Sequence, residues 1–239
     1  MILTKMSLSL KSRTKKAKSK KRLLQLIASL LILAGLFLLG VYIYWYYTGE
    51  KIVDINVPIN VSFIPDDVEV VEEEIAEEQI RTHTVPADHP RYLTISQLGV
   101  NQARILSVGL DKEGRIGTPV NIYDAAWFNQ SGKQEQTKKV IFLDGHNGGP
   151  TKDGIFKRLP KLSLGAVIEV ERGDGLISKY SVVENYTEPL ENFTSDKMQQ
   201  VLTPINQQET IAIISCTGRW VQAQRTYTDR VVVKATKID

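Results

Sequence analysis

Two kinds of hydrophobic pattern divide the chain. Residues 23–49 form one predominantly apolar stretch with no charged side chain. At about 1.5 Å per residue, a helix of that length exceeds the roughly 30 Å hydrocarbon core of a bilayer, so it predicts a transmembrane helix. Beyond residue 88 the apolar residues come in short runs rich in Val, Ile and Tyr, broken by glycines and polar turns. That pattern predicts strands at 91–95, 103–108, 140–144, 166–171, 179–186, 210–215 and 230–236. Only two stretches read as helical. One is 154–162, with apolar Ile155, Phe156, Leu159 and Leu162; the other is 195–202, where Ser195 is the candidate N-cap. Seven or eight short strands with so few helices predict an all-β domain, either a closed barrel or a sandwich.

Charge refines the layout. The segment 1–22 carries nine basic side chains and no acid, while the whole chain has a net charge of +3, so the segment 23–239 carries −6. Basic flanks stay on the cytoplasmic side, which predicts a cytoplasmic tail at 1–22 and an extracellular remainder. Tyr42, Tyr44, Trp45, Tyr46 and Tyr47 close the span as an interfacial aromatic belt. A cleaved signal peptide would have a shorter apolar core and a small-residue cleavage site, so an uncleaved single-pass anchor is expected. Beside a membrane span the basic tail reads as topology signal and attraction to anionic lipid, and nucleic-acid binding is excluded. Residues 50–88 contain eight acids between 66 and 78 and three prolines, Pro58, Pro65 and Pro86. They predict an acidic extracellular stalk, with a short helix through Val68, Val71 and Ile75 as the alternative to an extended spacer. Residues 89–239 make one domain of ordinary size.

The candidate chemistry centres on Cys216, the only cysteine of the chain. It ends the run Thr210-Ile-Ala-Ile-Ile-Ser-Cys216 and is followed by polar Thr217, Gly218 and Arg219, which predicts a sulfur at a strand end. A cysteine buried mid-strand would be a small hydrophobe, whereas an exposed one near a histidine becomes a nucleophilic thiolate. A lone cysteine also has no internal disulfide to make. His146 lies well upstream, in a loop of glycines and Pro150, and Arg230 lies a short way downstream at the head of Val231-Val-Val233. Arg219 and Arg225 compete with Arg230 for the cationic role. His83 and His89, which flank Pro86 and precede Pro90, have no metal-spaced partners and are read as bystanders.

These stretches converge on a family. Residues 89–239 resemble the sortases, membrane-anchored cysteine transpeptidases of bacterial surfaces. The resemblance is carried by Tyr92-Leu-Thr-Ile-Ser-Gln-Leu-Gly-Val100, Gly145-His146, Gly154-Ile-Phe-Lys-Arg-Leu159, Ile213-Ile-Ser-Cys216-Thr-Gly and Arg230-Val-Val-Val-Lys-Ala235, in the family's order His, Cys, Arg. Among the classes it is nearest the D, E and F housekeeping or accessory types. The resemblance implies a closed eight-stranded β-barrel with one or two short helices. It also implies catalysis by Cys216 as nucleophile, His146 as proton carrier and Arg230 as stabiliser of the reacting group. The implied reaction cleaves a C-terminal sorting motif of exported proteins through a thioester and transfers the acyl group to an amine of the cell envelope or of a pilin subunit. The chain ends at Asp239 directly after the last strand, so it is expected to be the enzyme and not a sorted substrate.

Two departures mark this chain. Ser215 stands where the family usually has threonine, and Asp144 stands two before the histidine, where a small or uncharged residue is expected. Both are candidate modulators. Alternate strand residues share a face, so Asp144 either approaches His146 or caps the turn. Calcium-dependent members place carboxylates in the loop between the third and fourth strands; here residues 129–139 offer one acid among three lysines, so neither a metal nor another cofactor is expected. Pro189, Leu190, Phe193 and Met198 are candidate lining of the substrate groove, with a core role as the alternative. The remaining functional readings are a cysteine peptidase, another wall-modifying cysteine enzyme such as an L,D-transpeptidase, or a non-catalytic stalked surface-binding module. The L,D-transpeptidase signature has histidine and glycine close before the cysteine, where this chain has Ile214 and Ser215.

Overall fold

The computed structural model describes residues 25, 27–41, 43 and 70–238 apart from 113, 222 and 224. The chain divides into two compact units, Met1–Ile55 and Asn56–Asp239. In the first, residues 27–41 are helical, and their apolar side chains, Leu30, Leu33, Phe37 and Leu38 among them, are exposed. Among the described residues no helix is long and apolar enough to cross a membrane. The expected span at 23–49 extends beyond the described residues at both ends. The basic tail, Tyr42, the aromatics from Tyr44 to Tyr47, and the stalk as far as residue 69 also lie outside them.

The second unit is built on eight strands: β1 (Pro90–Ile95), β2 (Val100–Val108), β3 (Ala125–Phe128), β4 (Val140–Gly145), β5 (Val167–Arg172), β6 (Ile177–Pro189), β7 (Thr210–Val221) and β8 (Thr226–Lys237). They close into a barrel in the order β1-β2-β3-β4-β7-β8-β6-β5. The β2–β3 and β4–β7 pairs are parallel and the others antiparallel. Period-two alternation divides the apolar residues into two cores. Ile141, Leu143, Ile211, Ile213, Val231 and Val233 belong to one, and Val140, Phe142, Ala212, Ile214 and Val232 to the other. The second is covered by Met198 and Val201 of a short helix, α2 (Ser195–Val201), which follows the one-turn helix α1 (Glu77–Arg81) in the chain. Burial on both faces explains why β4 and β7 read as continuous hydrophobic runs.

Several expectations change. β3 escapes prediction because Ala125-Ala-Trp-Phe128 is short and half alanine, a poor strand former, although all four residues are buried. The predicted helix at 154–162 reduces to one 3₁₀ turn, Leu159–Lys161, with Pro160 in it. Its apolar spacing instead records burial, since Phe156, Leu159 and Leu162 all enter the first core. The helix α2 is capped by Thr194, whose hydroxyl accepts from Lys197 N at 3.3 Å, and not by Ser195.

Residues 70–88, expected as the end of a solvated stalk, are tied to the barrel. Val71 forms a parallel bridge with Asn121, and α1 offers its Ile80 carbonyl to the Tyr92 hydroxyl. The alternative helix through Val68 and Val71 is absent at Val71, which pairs as strand. The two histidines nearby have structural contacts. His83 Nε2 donates to the Ile105 carbonyl at 3.1 Å, and burial lowers its pKa below the ordinary 6.5. His89 packs edge-on against Trp127 with ring centroids 4.8 Å apart.

Candidate active site

Strand register assembles the site. In the parallel β4–β7 pair the last paired residues are Asp144 and Ile214, directly before Gly145 and Ser215. The Ser215 hydroxyl donates to the Gly145 carbonyl at 2.8 Å, clamping the two strands one step before the histidine and the cysteine. In the antiparallel β7–β8 pair the Cα partner of Cys216 is Arg230. Adjacent strands β4, β7 and β8 therefore converge at Arg230, Cys216 and the residue just before His146.

The sulfur does not sit at a strand end, as expected from sequence, because β7 continues to Val221. What ends at Cys216 is burial: Thr210 to Ser215 are buried, Cys216 is half-buried, and Gly218 to Trp220 are exposed. The register shifts after Thr217 at Gly218, whose φ of +83° and crowding against Asp229 Oδ2 leave no room for a Cβ. Cys216 keeps its pairing with Arg230 before the shift, and pairing resumes at Trp220 and Tyr227.

Arg230 is buried, with 2% exposure, and its guanidinium is oriented by its surroundings. Nη1 donates to the carbonyls of Tyr227 and Asp229 at 3.2 and 3.0 Å, and Nη2 donates to Thr226 Oγ1 at 3.0 Å. The competing Arg219 and Arg225 are exposed on the hairpin. Register opposite the cysteine, which spacing along the chain alone could not show, is what distinguishes Arg230.

His146 begins the loop after β4. Its Nε2 lies 2.6 Å from the Pro119 carbonyl. A carbonyl oxygen only accepts, so Nε2 carries the proton and Nδ1 is the nitrogen able to exchange one. The loop then folds back, with Phe156 N donating to the His146 carbonyl at 3.0 Å. Gly145 allows that return, since a Cβ there would meet the Phe156 ring at 2.6 Å.

Asp144 is buried beside this group. Burial raises its carboxyl from the ordinary 3.8 to about 6, against the opposing pull of His146, a hydrogen bond from Thr118, the Gly145 N–H and Arg230. Both readings open to it find an observation here: an electrostatic interaction with His146, and hydrogen bonds from Thr118 and the Gly145 N–H. Pro119, Thr118 and, further out, Glu72 belong to the surroundings of the site, and sequence reasoning misses all three. The turn-forming Gly117-Thr118-Pro119 is the one available signal.

Of the four candidates for groove lining, two take the alternative core role. Phe193 and Met198 are 4% and 1% exposed and pack in the second core with Phe142, Ile214 and Val232. Pro189 is exposed and Leu190 half-buried at the end of β6. Among the described residues no group of three or more His, Cys, Asp or Glu side chains could hold a metal ion.

A model of the sortase domain matches residues 93–238, more than half of the chain. The chain belongs to the sortase family. It is therefore a sortase-type cysteine transpeptidase, on a barrel that contains the three residues described above. No curated protein sequence gives a significant match. Solved structures similar to this sortase include a lid mutant of sortase A from Corynebacterium diphtheriae, at 17% identity and a TM-score of 0.48, covering 67% of this chain and 75% of that one. Another is the sortase D5 transpeptidase of Clostridium perfringens, at 19% identity and a TM-score of 0.44, covering 70% and 91%. Sortase C1 from Streptococcus agalactiae follows at 16% and 0.48, covering 70% and 78%. The names of these three span sortase classes A, C and D.

Proposed function

We propose that this sortase cleaves a sorting motif near the C-terminus of exported proteins, using Cys216 as nucleophile, His146 as proton carrier and Arg230 as the stabilising cation. The observations that support the assignment are the pairing of Cys216 with Arg230 and the Ser215–Gly145 bond directly before Cys216 and His146. The Cys216 thiolate attacks the scissile carbonyl carbon, and negative charge collects on the carbonyl oxygen. When the tetrahedral adduct collapses the C–N bond breaks, and the amine leaves with a proton from the His146 imidazolium. The product is a thioester on Cys216. An acceptor amine then attacks that carbonyl, gives a proton to His146, and releases the thiolate with a new amide. Arg230, a cation at every relevant pH and already held by three acceptors, stabilises the oxyanion in both halves, a role worth about 10²- to 10³-fold for such a donor.

The acceptor is an amine of the cell envelope or of a pilin subunit, and the enzyme acts from the outer face of the membrane as a single-pass protein with a cytoplasmic N-terminus. The charge-free stretch 23–49, the helix at 27–41 with exposed apolar side chains, and the nine basic residues before it support that topology. Mass spectrometry of the full chain incubated with a library of sorting-motif peptides tests the assignment. A peptide acyl adduct on Cys216 that is absent from Cys216→Ala is expected; processing that persists in Cys216→Ala would refute it.

A further inference from the structure

The segment before the barrel reaches the loops that hold His146. Val71 N donates to the Val120 carbonyl at 2.9 Å, and Ile122 N donates to the Val71 carbonyl at 3.0 Å. These two bonds fall next to Pro119, whose carbonyl takes the His146 Nε2 proton at 2.6 Å. Asn121 Nδ2 adds a bond to the Glu73 carbonyl at 2.9 Å. The same segment turns its next side chain toward the other loop. Glu72 Oε1 accepts from Thr151 N at 2.7 Å and from Lys152 N at 2.9 Å, and Oε2 accepts from the Thr151 hydroxyl at 2.5 Å. Lys152 Nζ returns a bond to the Glu72 carbonyl at 3.1 Å. Gly149 permits the approach, because a Cβ there would collide with Glu72 Oε1.

Residues 147–154 are a closed excursion that starts directly after His146. Gly154 N bonds back to the Asn147 carbonyl and Gly149 N to the Lys152 carbonyl, each at 2.9 Å. Fixing Thr151 and Lys152 therefore fixes the far end of a stiff loop whose near end carries the imidazole. The hydrogen bonds to Thr151 lower the Glu72 pKa, so the carboxylate is ionised at neutral pH and makes the stronger, charge-assisted kind of bond.

We infer that Glu72 is a positioning residue for His146: it ties the excursion after the histidine to the loop whose Pro119 carbonyl orients the ring. The inference rests on the proposed role of His146 and adds to it a dependence on a residue upstream of the barrel. Charged and titratable groups on the elements about the imidazole are Asp144 on β4, Cys216 on β7 and Arg230 on β8. Glu72 acts on it through backbone and Thr151, not by direct contact.

Cys216 is the only cysteine, so iodoacetamide reads one thiol, and its rate against pH reports how much thiolate the histidine sustains. In the full chain, Glu72→Ala should lower kcat for peptide cleavage about 10-fold, less than the roughly 10²-fold that a misplacement of about 1 Å can cost, with KM unchanged. Its alkylation profile should move toward that of His146→Ala. Glu72→Gln retains an oxygen for the two backbone donors and should keep most of the activity, which a role for the charge itself would not allow. Thr151→Val, which removes one of the three bonds and no backbone donor, should shift the profile in the same direction by less, and serves if Glu72→Ala does not fold. The inference is overturned if Glu72→Ala and Thr151→Val leave profile and kcat unchanged while His146→Ala shifts both. If His146→Ala itself leaves the alkylation profile unchanged, the underlying role of the histidine fails as well, and the two failures are told apart.

Discussion

Asp144 is a carboxyl that the fold holds at a cost, and replacing it by asparagine should expose that cost. An unfolded aspartate titrates near 3.8, and Asp144 in the barrel at about 6, chiefly because burial disfavours its charged form. Between those values the native state keeps a proton that the unfolded chain has released, so stability falls as pH rises through the window. The loss is complete above about pH 6 and amounts to about 3 kcal/mol at 1.36 kcal/mol per pH unit of separation. An asparagine in its place would carry no charge at any of these pH values while still able to pair with Thr118. Asp144→Asn should therefore be more stable than the parent by up to about 3 kcal/mol at pH 8, an increase in Tm of about 6–12 °C for a domain of this size, and nearly equal to it at pH 3.5. Thermal unfolding at the two pH values measures the difference. The same variant removes a charge that interacts with His146, so the pH profile of turnover should change as well. A stability difference that is the same at pH 3.5 and pH 8, or an unchanged turnover profile, would refute the reasoning.

Other consequences can be read from single side chains. Ser215→Ala leaves the Gly145 carbonyl without the hydroxyl that clamps β4 to β7, which should cost about 1–3 kcal/mol in urea unfolding and lower kcat; Ser215→Thr should restore both. Met198→Ala should destabilise by about 2–5 kcal/mol with KM for peptide substrates unchanged, because the side chain lies in the second core. A raised KM with intact stability would return Met198 to the groove. Gly218→Ala would place a methyl against Asp229 at a φ of +83°, and should destabilise by about 1–3 kcal/mol while slowing Cys216 alkylation as the bulge relaxes.

The parts of this fold legible in the sequence are those where one local rule dominates. Runs of Val and Ile mark seven of the eight strands, since burial on a pleated surface selects those residues wherever the strand lies. β3 escapes because Ala125 and Ala126 are chosen for space against neighbouring strands, a demand invisible before the barrel is closed. At 154–162 apolar spacing is present for a reason other than helix, as a loop crossing the end of the barrel must bury Phe156 and Leu159 just as a helix would. Phe193 and Met198 look like groove lining only while one apolar layer is assumed; the second layer outside β4 and β7 claims both.

The site divides in the same way. Cys216, His146 and Arg230 are legible as residue types in order, but the pairing of Cys216 with Arg230 and the Ser215–Gly145 bond are properties of register, and register comes from pairing between strands that stand apart in the chain. Ser215 is visible in the sequence only as a departure from threonine, whereas the structure gives its hydroxyl a task, joining the two strands at the step before the reacting residues. Glu72 is least legible of all. It stands as one of eight acids in a stretch that reads as a solvated spacer, and nothing in composition separates the carboxylate that meets two backbone N–H groups from its neighbours in the same run. The separation is made by Val71, whose backbone pairs with the 120–122 segment and so aims the next side chain at Thr151. A charged run thus contains a positional instruction that only the segment paired with it reveals, and on the role inferred for Glu72 the catalytic unit reaches upstream of residue 89 to that side chain.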